Sequence, residues 1–123
     1  IVLEQSGRFF RELKTEWSRQ AVSGGGVGEI DDIESAGSVP EVFALADASR
    51  SGVVVADLAA GQPDVLRLLE GWDRVWPIVV IGSPDTGELE WPLRELGATT
   101  VLFEPVTPSR LLAMCQRVLK NVT

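Results

Sequence analysis

The 123-residue chain has no histidine and no tyrosine, and only one cysteine and one methionine. Each gap removes chemistry. Without histidine there is no Ser/His/Asp or Cys/His nucleophilic site and no histidine-based metal site. The lone Cys115 excludes an internal disulfide and a thiolate zinc cage. It falls among the apolar positions of a predicted helix, where a small buried hydrophobe is the plain reading. No uninterrupted apolar run approaches the roughly 18 residues of a membrane-spanning helix. Positive charge is scarce as well: eleven Lys and Arg stand against eighteen Asp and Glu, a formal net charge of −7. Phosphate binding rests on clustered Lys and Arg, so a general nucleic-acid surface is disfavoured, although a basic patch on one face stays open.

What remains is the balance of an ordinary globular protein, 45% apolar and 24% charged, with a length that suits one domain over residues 1–123. The chain starts at Ile1, and no basic segment followed by an apolar one comes after it. It therefore reads as a domain excised or processed from a longer parent.

The hydrophobic pattern alternates between two periods. Ile1 to Leu3 is a short apolar start, and Phe9, Phe10, Leu13 and Trp17 recur at helical spacing over Arg8 to Gln20. The glycine-rich Ser23 to Gly28 breaks that pattern. It fails the dinucleotide fingerprint, because Glu29 stands where a third glycine belongs, so a flexible turn is expected. "EIDDIESAG" has only Ile30 and Ile33 as large apolar residues and predicts a weak strand at a sheet edge. Ser38-Val39-Pro40-Glu41 reads as a capping box with proline at the first helical position, opening a helix over Val42, Phe43 and Leu45 that ends near Ala48 to Ser51.

"GVVVAD", Gly52 to Asp57, is a continuous β-branched run, as in a strand buried on both faces, and it ends in a carboxylate. Helical spacing returns over Pro63 to Trp72, and Pro77 to Gly82 is a second fully apolar strand. Leu89, Leu93 and Leu96 suggest a helix that Pro92 shortens or kinks. Thr100 to Phe103 forms the last strand, followed by a helix capped by Thr107 with Pro108 at its first position. Five strands alternating with five helices predict an α/β fold with a parallel sheet covered on both faces, in which functional groups gather outside the carboxyl ends of the strands. That rule brings Glu4, Asp57, Gly82, Ser83 and Glu104 to one edge.

With this order and these strand ends, the chain resembles the receiver domain of bacterial two-component response regulators. The resemblance rests on "VVVADL", "PIVVIGS" and "LRELGATTVLFEPVTPSRLL", and less closely on "IVLEQS". It implies a flavodoxin-like (βα)5 three-layer sandwich with a parallel five-stranded sheet in the order 2-1-3-4-5. It implies a signalling module rather than an enzyme, a cytoplasmic setting, and a protein partner or flanking signalling domain, with no membrane and no nucleic acid bound by this domain; a homodimer is compatible with it.

Position by position, Asp57 matches the phosphoacceptor. Glu4 and Gln5 occupy the place of the metal-holding acidic pair, Gly82 that of a Thr or Ser hydroxyl with Ser83 beside it, Val101 that of the aromatic switch residue, and Glu104 that of the lysine. Phosphoryl transfer needs positive charge at the acceptor. Two carboxylates about 5 Å apart at an effective dielectric of about 20 repel by roughly 3 kcal/mol. The substitutions therefore point to a degenerate pseudo-receiver that does not run the normal phosphorylation cycle. An active receiver using Asp57 with altered metal ligands is the alternative, and a small flavodoxin-like nucleotide or flavin binder is a third reading, disfavoured by the acidic rim.

Glu4 and Glu104 either point to solvent or pair with nearby Arg or Lys side chains, with Asp57 capping a helix or turn; alternatively Glu4 and Asp57, with Glu104, hold Mg²⁺ or Ca²⁺. Of the four tryptophans, Trp17 and Trp72 fall on core positions, whereas Trp76 and Trp91 lie near prolines at element ends. Partial burial is the plain expectation for the latter two, and an exposed partner anchor the alternative. In the family the fourth helix, fifth strand and fifth helix form the usual contact face, which makes Trp91, Val101 and Phe103 interface candidates.

Overall fold

The computed structural model describes residues 1–5, 7–22, 33–49 and 51–122. The expected turn at Ser23 to Gly28 and the Ile30 part of the weak strand lie outside the described residues. The strands are β1 (Val2–Leu3), β2 (Ser35–Ala36), β3 (Val54–Asp57), β4 (Ile78–Gly82) and β5 (Thr100–Phe103). The α-helices are α1 (Arg8–Val22), α2 (Val39–Asp47), α3 (Gln62–Gly71), α4 (Glu90–Glu95) and α5 (Pro108–Val122). All strand pairs are parallel, and the order across the sheet is β2-β1-β3-β4-β5. Among the described residues no helix is long and apolar enough to cross a membrane.

The apolar runs form the centre because both faces of β3 and β4 are covered. Every residue of these two strands is buried. Leu3, Val54, Val80 and Val101 pack with Val42, Val65, Leu68 and Leu93 of α2, α3 and α4 on one face. On the other, Val2, Val55, Ile81 and Leu102 pack with Phe9 and Leu13 of α1 and with Leu111, Leu112 and Cys115 of α5. Cys115 is a buried free thiol. Alternation of side chains along each strand assigns successive residues to opposite layers.

The local start signals act as their chemistry dictates. Ser38 Oγ accepts from Glu41 N at 3.4 Å, although Pro40 is the second residue of α2 and not its first. Thr107 Oγ1 accepts from Arg110 N at 3.2 Å at the start of α5, with Pro108 leading the helix. Pro92 lies in the first turn of a six-residue α4, preceded by a 3-10 turn over Pro84–Leu89. Its missing N–H costs nothing there, because first-turn donors have no partner within the helix. Trp76 is buried beyond the partial burial expected of it, pressed against Gly52, where a Cβ would lie 2.8 Å from its ring. Trp91 departs in the other direction: it is 74% exposed.

Candidate functional site

The parallel register brings the ends of β1, β3, β4 and β5 to one edge, and Glu4, Asp57, Gly82, Ser83 and Glu104 gather there. Glu4 follows the last residue of β1 and is only 4% exposed. Its two carboxylate oxygens accept from Phe9 N at 3.0 Å and Phe10 N at 2.7 Å, so it caps α1 with both arms. A carboxylate at this place satisfies orphan first-turn donors and meets the positive end of the helix dipole. Gln5 is exposed, and its amide donates to Gly37 O at 2.9 Å, tying the loop after β1 to the end of β2.

Asp57 ends β3 and is 9% exposed. Its Oδ1 accepts from Ala59 N at 3.0 Å and caps a 3-10 turn over Leu58–Ala60. Burial raises its pKa above the ordinary carboxylate value; the Ala59 N–H opposes the rise, the charges of Glu104 and Glu4 add to it, and the Arg8 guanidinium opposes it.

Glu104 follows β5 and precedes a cis peptide bond to Pro105. Its backbone N–H donates to Gly82 O at 2.8 Å, which fixes the end of β5 against β4. Its carboxylate accepts from the guanidinium of Arg8, the first residue of α1, and this hydrogen bond is the main reason that the Arg8 pKa is raised. The acid at the end of β5 is thus paired with a cation from another element. Arg8 thereby returns positive charge to the neighbourhood of Asp57 without reversing the acidic balance of the edge.

The Gly82 position is filled from outside the strand. A Cβ on Gly82 would collide with Thr86 Oγ1 and come within 3.1 Å of Leu58 and 3.4 Å of Phe103. Thr86 Oγ1 donates to Ser83 O at 2.8 Å, and Thr86 N donates to the same carbonyl at 3.0 Å. The hydroxyl thus sits where a side chain of residue 82 would start, held by Ser83's backbone. Val101, expected at an interface, is instead buried in the core under α4, a consequence of its inward place on β5. Phe103 is half-buried against the same core.

The donor set does not fit a divalent cation. Both oxygens of Glu4 are turned to helix N–H groups and Glu104 is turned to a guanidinium. Among the described residues no group of three or more Asp, Glu, Cys or His is disposed to hold a metal. Glu4, Asp57 and Glu104 share an edge without converging on a common point.

Arg8 and Thr86 are the two residues that the sequence pattern does not single out. A signal for Arg8 existed in principle: a half-buried acid at the end of β5 calls for a cation, and Arg8 opens the helix that leaves the same edge. Thr86 carried none, because its role depends on a loop folding back over a glycine. A groove of about 300 Å³ lined by Trp72, Arg74, Trp76, Pro77 and Thr99, among others, lies at the other end of the strands, away from these residues.

No family model matches the chain, and no curated protein matches it. Solved structures do. The receiver domain of the Francisella response regulator 1452 superposes with a TM-score of 0.77 at 17% identity, over 99% of this chain and 96% of that one. A sensor protein from Polaromonas sp. JS666 gives 0.71 at 21% identity, over 99% and 95%. NtrX from Brucella abortus gives 0.70 at 16% identity over 98% of this chain, which spans only 26% of NtrX. With the strand order, the parallel register and the two helical layers, these likenesses establish the fold as the flavodoxin-like fold of response-regulator receiver domains.

Proposed function

We propose that the domain is a receiver-like interaction module that is read in a single state, without a phosphorylation cycle at Asp57. The observation that carries this reading is the Arg8–Glu104 ion pair. An acid takes the position that resembles the family's lysine, and the cation it recruits is tied to it. A phosphoryl group on Asp57 would add negative charge to an edge where the charges of Glu104 and Glu4 already act on that residue, with Arg8 already engaged. The capping duty of Glu4 and the collapsed Gly82 position support the same conclusion, because neither a metal ligand nor a mobile hydroxyl remains where the resemblance would put one. The module acts through protein contacts, with a flanking signalling domain or a separate protein as its partner.

The test is incubation with a small-molecule phosphodonor and Mg²⁺, followed by intact-mass measurement. No adduct is expected. A stoichiometric phosphoryl adduct that disappears in Asp57→Ala overturns the proposal. One observation favours the second reading, an active receiver: the Arg8 guanidinium lies close enough to Asp57 to lower its pKa. In that case the adduct forms and is lost in Arg8→Ala, so the same measurement separates the two.

A further inference from the structure

Charge is distributed very unevenly between the two helical layers. Seven of the eleven basic residues lie on α1 and α5, together with two of the eighteen acids. No acid occurs anywhere in α5. The opposite layer reverses the sign: α2, α3, α4 and the 3-10 turn before α4 carry eight acids and two arginines. In a chain of net charge −7, the α1–α5 layer is a positive island on one side of the sheet.

The exposed positions sharpen both faces. On α5, Arg110, Ala113, Arg117 and Lys120 follow one another at helical spacing, and all are exposed. Arg11 and Arg19 are exposed on the neighbouring α1. Neither Arg110 nor Arg117 has an ion-pair partner among the described residues. On the other side of the sheet the most exposed aromatic ring, Trp91, is flanked by Glu88 three residues before it and Glu95 four after, both exposed, while the exposed Arg94 beside them is paired with Glu90. Leu96 is also exposed beside them. An apolar anchor with an acidic rim fits a surface of arginines, whose guanidinium planes stack on indole and pair with carboxylates.

We propose that the basic α1–α5 face docks the Trp91-centred acidic face of a second copy of this chain. The two patches lie on opposite sides of the sheet, so the contact is heterologous and head to tail. Local complementarity orients the encounter against the overall repulsion of two acidic molecules, which makes the association weak and strongly dependent on salt. This names a partner for the interaction module proposed above and rests on that reading. Its test does not involve Asp57, so failure here leaves the mass measurement untouched.

Sedimentation velocity over a wide range of protein concentration, in about 0.1 M and about 1 M salt (Debye lengths of about 10 Å and 3 Å), tests the proposal. The average mass is expected to rise above 13.3 kDa with concentration at low salt and to return to it at high salt. Arg110→Glu/Arg117→Glu raises the dissociation constant about tenfold or more, and so does Trp91→Ala. Glu88→Arg/Glu95→Arg alone weakens association in the same way, and mixing the two charge-reversed proteins restores it. Both variants remain net negative, so the rescue reports the faces rather than overall charge. A monomer at every concentration, or association that ignores Arg110 and Arg117, overturns the proposal.

Discussion

Arg8 at the start of α1 and Glu104 after β5 are 96 residues apart in sequence and joined by a guanidinium–carboxylate hydrogen bond across the carboxyl edge of the sheet. The pair links the α1 side of the edge to the β5 side, and both of its charges act on Asp57. Both partners are partly exposed, at 49% and 33%, so the bridge contributes little to stability. What it adds is charge of both signs beside Asp57, whose pKa is shifted first by burial.

The first prediction follows from that role. Arg8 lowers the Asp57 pKa and Glu104 raises it. Arg8→Ala should therefore raise that pKa further, and Glu104→Gln should lower it. Carboxyl ¹³C chemical shifts followed through an acid titration read both changes directly. A double-mutant cycle between Arg8→Ala and Glu104→Gln in urea denaturation should return a coupling below about 1 kcal/mol, as for other exposed pairs.

A second prediction concerns Asp57 itself. Its folded pKa lies above the ordinary value of 3.8, so the folded state binds its proton more tightly than the unfolded chain does. The stability linked to that proton is fully present below the unfolded pKa and is lost as pH rises through the folded one. Asp57→Asn removes this loss and can still accept from Ala59 N through its amide oxygen. It should raise the melting temperature by roughly 2–5 °C at pH 7. The gain should vanish below about pH 3.8, where the wild-type carboxyl is protonated in both states. Melting curves at the two pH values check the sign.

Glu4 gives a third. It is the buried acceptor for two N–H groups of the first turn of α1. Glu4→Ala leaves both donors without it in a closed environment, at a cost of about 2 kcal/mol. Urea denaturation should show a lower midpoint with an unchanged slope, and amide exchange should accelerate first at Phe9 and Phe10.

These residues also mark how far sequence reaches. The parallel sheet was readable because Val53 to Val55 and Ile78 to Ile81 are β-branched runs between helical periods, and only two-sided burial accommodates such runs, whereas the strand order came only with the resemblance that the strand-end motifs carry. The edge strand β2 was poorly readable for the opposite reason. Ser35–Ala36 pairs with β1 alone, over two residues, and needs little apolar side chain. Asp57 as a turn cap was among the readings open from sequence, whereas Glu4 as the cap of α1 was not, because capping from a preceding strand depends on the path of the intervening loop. The Arg8–Glu104 pair was hidden by its separation along the chain, and Thr86 by a contact that exists only once the loop after β4 folds back.

Thr86 supplies the last prediction. The resemblance places a hydroxyl-bearing side chain at position 82, and restoring it by Gly82→Thr would appear conservative. Here the first atom of that side chain collides with Thr86 Oγ1 and presses on Leu58, so Thr86 must turn away and give up its bond to Ser83 O, or the loop must move. The change should destabilise the fold by about 1–3 kcal/mol, the usual range for overpacking. Thr86→Ala alone removes the hydrogen bond to Ser83 O and should cost about 1 kcal/mol. In combination, Thr86→Ala clears the colliding oxygen, and the double variant should be more stable than Gly82→Thr alone. A sum of the two separate costs in urea denaturation would show that the Gly82 niche and the Thr86 hydroxyl are not one packing unit.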